Sequence, residues 1–310
     1  MVTELEVVHD TRYAYSAPVA LAHHLAHLQP LADVHQQLLA HEVLIEPPAD
    51  TRHGGTDAFG NTCLWFSRAQ PHDRLLVRSS ARVRVQPRFA ALRPGRGPAW
   101  DELARRLGYV ARAPFEPAVQ FAQPSPFVPL LPELRAWAAP ALPPGRPAAE
   151  AALELMHRLH AEFTYRSAST QIDTPLAKAF AQRSGVCQDF AHILAGAWRA
   201  WGLPVRYVSG YLLTHAPEGG AALQGADATH AWVQVWVPGT EGVGADGWLD
   251  LDPTNDCVPG SGHVRMAVGR DFGDVTPLRG VIRGGGRHTL TVAVSTRVLD
   301  SGTALAGVAA

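Results

Sequence analysis

The hydrophobic rhythm of the chain changes twice. Over residues 1–92 apolar and polar positions alternate in short runs, the two-residue period of half-buried strands. "ELEVVHDTRYAY", "LLAHEVLIEPP", "NTCLWFSR" and "LLVRSSARVRVQP" are four such runs. The second stops at Pro47-Pro48, and the third is entered through "TDAFGN", whose Gly60-Asn61 pair is a turn signal. In the fourth, Val83 and Val85 face one way and Arg82 and Arg84 the other. Antiparallel strands with no long helical pattern predict an all-β N-terminal domain, a sandwich or open barrel.

Residues 93–150 lose the alternation. "RPGRGPAW" and "APALPPGRPAAE" are rich in Pro and Gly and bracket two short helical patterns, "DELARRLGYVAR" and "LLPELRAWAA", which together read as a helical connector packed partly on both neighbours. From 151 to 310 the period changes again. "AAEAALELMHRLHAEFTY" repeats Leu153, Met156, Leu159 and Phe163 at helical spacing, and residues 184–202 form a second helical pattern. Three strand candidates follow, "VRYVSGYLL", "THAWVQVWVP" and "GWLDLDP", with "HTLTVAVSTRVL" as one more after the glycines 284–286. Helices followed by a run of strands predict an α+β domain over 151–310 that includes this last strand.

The second helix carries the chemistry. Ser184 is a plausible N-cap, which puts Cys187 in the first turn, while Phe190, Leu194, Ala197 and Trp201 form a buried stripe and Gly202 with Pro204 stops the helix. Unsatisfied N–H groups and the positive end of the helix dipole favour a thiolate there. The competing reading is a small core side chain, since free cysteines are among the most buried residues. The strands that follow bring the two readings level without deciding between them. In "ATHAWVQVWVP", Ala231, Val233, Val235 and Val237 share one face, and His230, Trp232, Gln234 and Trp236 the other. In "WLDLDP", Leu249 and Leu251 oppose Trp248, Asp250 and Asp252. A thiol, an imidazole and a carboxylate in the order Cys, His, Asp is the set a nucleophile needs: a base for its proton and a third group to fix the base. Periodicity alone leaves the third role open between Asp250 and Asp252.

Composition narrows the rest. The 27 basic and 28 acidic residues nearly cancel, so no basic excess points to nucleic acid or an anionic membrane surface. Cys63, Cys187 and Cys257 are too few and too scattered for a disulfide framework or a zinc site built on cysteine pairs. His23, His24 and His27 cluster in "AHHLAHL", but without a carboxylate at HExxH spacing they read as surface or partly buried rings, and no metal or cofactor is expected. The opening "MVTELEVVHDTRYAY" does not have the pattern of a signal peptide, and no run approaches the roughly 20 apolar residues of a membrane span. A cytoplasmic location with no membrane partner is the expectation.

Three segments resemble the core motifs of the transglutaminase-like superfamily, its bacterial branch in particular: "SGVCQDFAHILAGAWRAWGLPVRYVSGYL", "DATHAWVQVWVPG" and "GWLDLDPTND". "HDTRYAYSAPVALAHHLAHLQP" with "TDAFGN" resembles that branch's β-rich N-terminal region, and "RMAVGRDFGDVTPLRGVIRGGGRHTLTVAV" its C-terminal motif. The resemblance implies a papain-like core, a cysteine-bearing helix packed on an antiparallel sheet. It also implies Cys187 as nucleophile, His230 as base and then acid, and Asp252, the Asp of the "DPTN" match, as the orienting carboxylate. The expected oxyanion donors are the Cys187 backbone N–H and the Tyr165 side chain, although Tyr165 reads equally well as a packed tyrosine. Trp232 and Trp248 are candidate substrate-binding residues or, equally, core. The expected reaction is acyl transfer from a peptide or protein amide through a thioester, with hydrolysis favoured because bacterial relatives are viewed as candidate cysteine proteases. Transamidation or peptide ligation, and a non-catalytic binding module, are the alternatives. A family-level association with ATP-grasp-type peptide-ligating proteins is implied as well. No carboxylate cluster suggests a calcium loop.

Overall fold

The computed structural model describes residues 2–112, 114–167, 169–213 and 229–299. The N-terminal alternation becomes β1 (Thr3–Ala26), β2 (Gln36–Glu46), β3 (Thr51–Thr56), β4 (Thr62–Arg68) and β5 (His72–Val85). They lie in the order β2–β5–β1–β4–β3. β1 runs 24 residues, well past the predicted run, and its pairing with β5 slips between Ala14 and Val19. Its first half, Thr3–Ala14, pairs with β5, and its last turns of chain, Ala22–Ala26, pair with β4. The histidines near 23–27 therefore sit on and just after a strand. One face of β5 is apolar and buried (Leu75, Val77, Ala81, Val83, Val85), as period-two alternation requires.

Among the described residues five α-helices follow: α1 (Trp100–Arg106), α2 (Pro132–Ala138), α3 (Ala148–Glu162), α4 (Leu176–Gln182) and α5 (Cys187–Arg199). α1 and α2 occupy the two helical patterns of the Pro-rich stretch but are shorter than those patterns. α4 was not anticipated. Two-residue strands β6 (Thr164–Tyr165) and β7 (Ser184–Gly185) pair in parallel just before α5. The second sheet is antiparallel in the order β10–β9–β8–β11, from β8 (Val205–Leu212), β9 (His230–Trp236), β10 (Trp248–Leu251) and β11 (His263–Gly269). Every residue of β9 is buried. Its aliphatic face, Val233 and Val235 with Leu249 and Leu251 from β10, packs with Phe190, Leu194 and Ala197 of α5 in one core. Trp232, on the other face, packs with Val208 and Val268.

Arg199 closes this core from inside. Almost wholly buried, its guanidinium donates to the carbonyls of Phe121, Val205 and Arg270 and to Ser125 Oγ. Four acceptors satisfy a charge that would otherwise be costly to bury. They also fasten the segment between the sheets to α5, to the start of β8 and to the residues after β11.

Two expectations need correction. The tail strand, expected inside the 151–310 unit, belongs to the first sheet. β12 (Leu278–Gly284) and β13 (His288–Val298) both pair antiparallel with β1, β13 in the register Leu5↔Val298 through Tyr15↔His288. Alternation marks a strand but carries no information about a partner far away in sequence. The cysteine helix starts at Cys187, not Ser184: Ser184 and Gly185 are spent on β7, and Val186 is the N-cap in extended conformation. Among the described residues no helix is long and apolar enough to cross a membrane.

The placement of β13 is testable. Val294 is buried in the core of the first sheet, whereas Val298, on the same strand, is exposed. Val294→Asp is expected to lower the unfolding free energy by about 3 kcal/mol or more, and Val298→Asp to change it by less than about 0.5 kcal/mol. Urea denaturation of both variants checks this; equal effects would remove β13 from the core.

Candidate active site

The approach to α5 explains the residues before the cysteine. Asp189, in the first turn, folds back so that its Oδ2 accepts from the Val186 backbone N–H (2.8 Å) and from Thr170 Oγ1 (2.6 Å). Burial pushes its carboxyl pKa up, against those two hydrogen bonds. A Cβ at position 185 would lie 2.6 Å from the same carboxylate oxygen, so only glycine lets the chain pass. Cys187 then occupies the first helical position, with its N–H among those an α-helix leaves unpaired. It is half-buried, and its sulfur lies 4.0 Å from the Thr229 carbonyl.

The structure brings Cys187, His230 and Asp252 together. His230 opens β9, fully buried, and its Nε2 hydrogen-bonds Asp252 Oδ2 at 2.9 Å. Its Nδ1 is buried and without a hydrogen-bond partner, which leaves that nitrogen for the cysteine side of the ring. Burial alone would lower the imidazole pKa; the Asp252 carboxylate, with the Cys187 sulfur adding to it, raises it above the ordinary histidine value instead. Asp252 shows the converse. Burial would raise its pKa, and the charge and hydrogen bond of His230 together with those of His263 hold it well below the carboxylate range.

Asp252 is the most heavily bonded group in the site. Beyond His230, its Oδ2 meets His263 Nε2 (3.1 Å) and accepts from Asn255 Nδ2 (2.8 Å), while Oδ1 accepts the backbone N–H groups of Thr254 (3.0 Å) and Asn255 (3.2 Å). A pair of backbone bonds between Asp252 and Cys257 closes the turn around it. Asp250, the competitor on the same face, is engaged elsewhere, accepting from Trp232 Nε1 at 2.9 Å.

Cys187, His230 and Tyr165 line one cavity of about 400 Å³. Trp232 and Trp248 do not, which corrects their expected role. Trp232 is wholly buried, stacked on His230 at 6.0 Å and held by Asp250; Trp248 lies against Arg206 (3.8 Å) and Phe121. Gly210, opposite His230 in β8, makes room for the Trp232 ring, because a Cβ there would lie 2.4 Å from it. Trp232 thus backs the His230 ring, while Trp248 packs elsewhere. Cys257 stands near Asp252, and burial, with that carboxylate, pushes its thiol up to about 12.

Several site residues escaped the sequence reading. His263 had no motif of its own, and Asn255 was legible only as the last letter of "DPTN". Phe272 reaches the cavity because its N–H donates to His192 Nε2 (3.2 Å) and the neighbouring Asp271 Oδ2 accepts from Phe127 N–H (2.9 Å). His9, Thr11 and Tyr13 of β1 and Leu290 and Val292 of β13 complete the far wall. The motif residues Asp227 and Ala228 lie outside the described residues. Among the described residues, two sets of donors, each within 4.8 Å of one another, could hold a metal ion: Asp252, Cys257 and His263, and, away from the site, His27, Asp57 and Cys63. In the first set an ion would compete with His230 for the carboxylate.

A helix that begins with cysteine, packed on an antiparallel sheet that supplies a histidine and an aspartate, defines a papain-like core. Residues 135–253 match the transglutaminase-like superfamily and residues 5–84 the bacterial transglutaminase-like N-terminal region. An uncharacterized protein of Mycobacterium tuberculosis is 38% identical over 278 residues, 89% of this chain and 86% of that one. An uncharacterized protein of Mycobacterium leprae is 29% identical over 94% of this chain and 97% of its own length. A protein-glutamine gamma-glutamyltransferase of Pseudomonas aeruginosa is 35% identical over 98 residues, 31% of this chain and 14% of that protein. In fold, the chain is similar to a candidate cysteine protease of Cytophaga hutchinsonii, with a TM-score of 0.72 at 19% identity over 98% of this chain and 93% of the other. The chain belongs to the transglutaminase-like superfamily.

The His230–Asp252 pair carries a pH signature. A raised imidazole pKa contributes stability in full below the unfolded value of 6.5, and this is lost as pH climbs toward the folded value. A depressed carboxyl pKa contributes above the unfolded value of 3.8 and is lost as pH falls. Asp252→Asn is therefore expected to cost most, about 3–5 kcal/mol, between about pH 4 and 6.5, and progressively less on either side. Urea denaturation at pH 5.5 and pH 9 checks the sign.

Proposed function

We propose that the protein is a cysteine-dependent acyl-transfer enzyme that hydrolyses a peptide or isopeptide-like amide. The observation that carries the reading is the shared cavity. It is lined at one end by a cysteine at a helix N-terminus and by a buried histidine whose far nitrogen is fixed on a carboxylate, leaving the near one free. The Cys187 thiolate attacks the amide carbonyl carbon, and the resulting oxyanion is met by the Cys187 backbone N–H, with the Tyr165 side chain as the proposed second donor. The tetrahedral species collapses as the imidazolium of His230 gives its proton to the departing nitrogen, leaving a thioester on Cys187 and a neutral imidazole. Water then adds to the thioester while His230 takes up its proton. Loss of the acid restores thiolate and imidazolium. Asp252 stabilises the imidazolium and fixes the ring without taking a proton itself.

Transamidation differs only in the second half, where an amine replaces water. One experiment separates the outcomes. Purified protein is incubated with p-nitrophenyl acetate, and with casein in the presence and absence of glycine ethyl ester, and the products are read by mass spectrometry. The expected result is an acetyl group on Cys187, release of peptide or ammonia from casein without amine incorporation, and at least about a thousandfold loss of rate in Cys187→Ala. Dominant amine incorporation would make it a transamidase. No acylation of Cys187 by the ester would leave the fold as a binding module.

A further inference from the structure

The far wall of the cavity is built from the two ends of the chain. β1 and β13 lie side by side in a register that pairs His9 with Val294, Thr11 with Val292 and Tyr13 with Leu290. His9, Thr11, Tyr13, Val292 and Leu290 all face the space that Cys187 and His230 line from the other side. The first sheet is thus part of the site, a role its sequence gave no hint of.

The chemistry of that wall is one-sided. Among the described residues, the cavity is lined by no Asp, Glu, Lys or Arg. Ile172, Phe272, Leu278, Leu290 and Val292 give it an aliphatic and aromatic surface. Its one histidine besides His230 is His9, and that ring is spoken for: Nδ1 hydrogen-bonds the Tyr211 hydroxyl and Nε2 Thr11 Oγ1, each at 3.0 Å. The Tyr211 hydroxyl in turn reaches Met266 Sδ at 3.0 Å. Burial, opposed by Asp10, lowers the His9 pKa to about 4, so the ring is neutral at physiological pH. A larger cleft on the other side of Tyr13 does carry charge, with Arg12, Arg68, Arg74, Glu46 and Asp73, but no cysteine lines it.

Building on the acyl-transfer reading, we infer that the cavity is the acyl-donor site and selects a peptide amide whose carbonyl side carries an uncharged, apolar side chain, bound against Leu290 and Val292 of β13. A charged donor group would give up its hydration on entry and, among the described residues, find no counter-charge beyond the Cys187–His230 pair itself. An apolar group loses nothing and gains burial. The volume, about 400 Å³, is at the small end for ligand cavities and suits one or two residues.

The test uses the full-length protein and alkylating probes that displace iodide with the Cys187 sulfur. Iodoacetamide itself measures the nucleophile. Its N-hexyl, N-carboxypentyl and N-aminohexyl derivatives measure the cavity, and N-decyl measures how far the apolar surface extends. The expected result is saturable labelling by the N-hexyl probe with an efficiency about tenfold or more above iodoacetamide, equivalent to burying two or so methylenes, and no gain for either charged probe. The N-hexyl to iodoacetamide ratio is expected to fall toward one in Leu290→Asp and Val292→Asp. In Val298→Asp, exposed on the same strand but outside the cavity, it stays at the wild-type value. If iodoacetamide fails to label Cys187, the acyl-transfer reading falls and this inference with it. If iodoacetamide labels Cys187 but a charged probe is preferred, or no probe is, the inference alone is overturned. A large further gain from hexyl to decyl would assign the site to a long acyl chain and overturn the peptide assignment.

Discussion

One buried carboxylate organises this molecule. Asp252 is inaccessible to solvent, and an isolated charge in such a place would be severely destabilising. It is tolerated because two imidazoles, one side-chain amide and two backbone N–H groups converge on it. Those donors come from the first residue of β9, the first residue of β11 and the turn that follows β10. The carboxylate therefore fixes the relation of three chain segments as well as the orientation of one ring. The cavity inherits its shape from that arrangement: His230 is held at its far nitrogen, backed by Trp232, and presented toward the start of α5.

Placement of Cys187 depends on a different device at the other end of the site. Asp189 turns back on the Val186 N–H, and Gly185 leaves room for it, so the helix begins at the cysteine itself. The helix body is anchored by Arg199, whose carbonyl partners lie before α5, at the start of β8 and after β11. The two halves of the site are thus braced independently, one by a buried anion and the other by a buried cation.

Much of this was legible because strand and helix periods assign faces. Alternation put His230, Asp250 and Asp252 on mixed faces, and helical spacing put Phe190, Leu194 and Ala197 in the core. Periodicity could not separate Asp250 from Asp252, since both occupy the same face; the turn closed by Cys257 and the indole of Trp232 do that. Nor does a face reveal what covers it, which is why Trp232 and Trp248 were expected near substrate and are found behind His230 and against Arg206. The tail strand failed for a related reason. Its alternation was plain, but its partner β1 lies at the opposite end of the chain, and local sequence does not encode a pairing of that range. His263 was illegible because it stands in an unremarkable strand and meets Asp252 only after the sheet has formed.

In the proposed reaction His230, charged and held by Asp252, makes Cys187 a nucleophile. The most direct measurement is the rate of iodoacetamide labelling of each cysteine against pH, by mass spectrometry, in the wild type and in His230→Ala. Burial pushes the thiols of Cys63 and Cys257 up to about 11 and about 12, so both serve as internal references for unactivated cysteine. At pH 6–7 Cys187 is expected to label at least about tenfold faster than either, at a rate nearly independent of pH, and His230→Ala is expected to slow it and give it the rise with pH of an ordinary thiol. A Cys187 rate that follows the pH dependence of an ordinary thiol, unchanged by loss of His230, would contradict it.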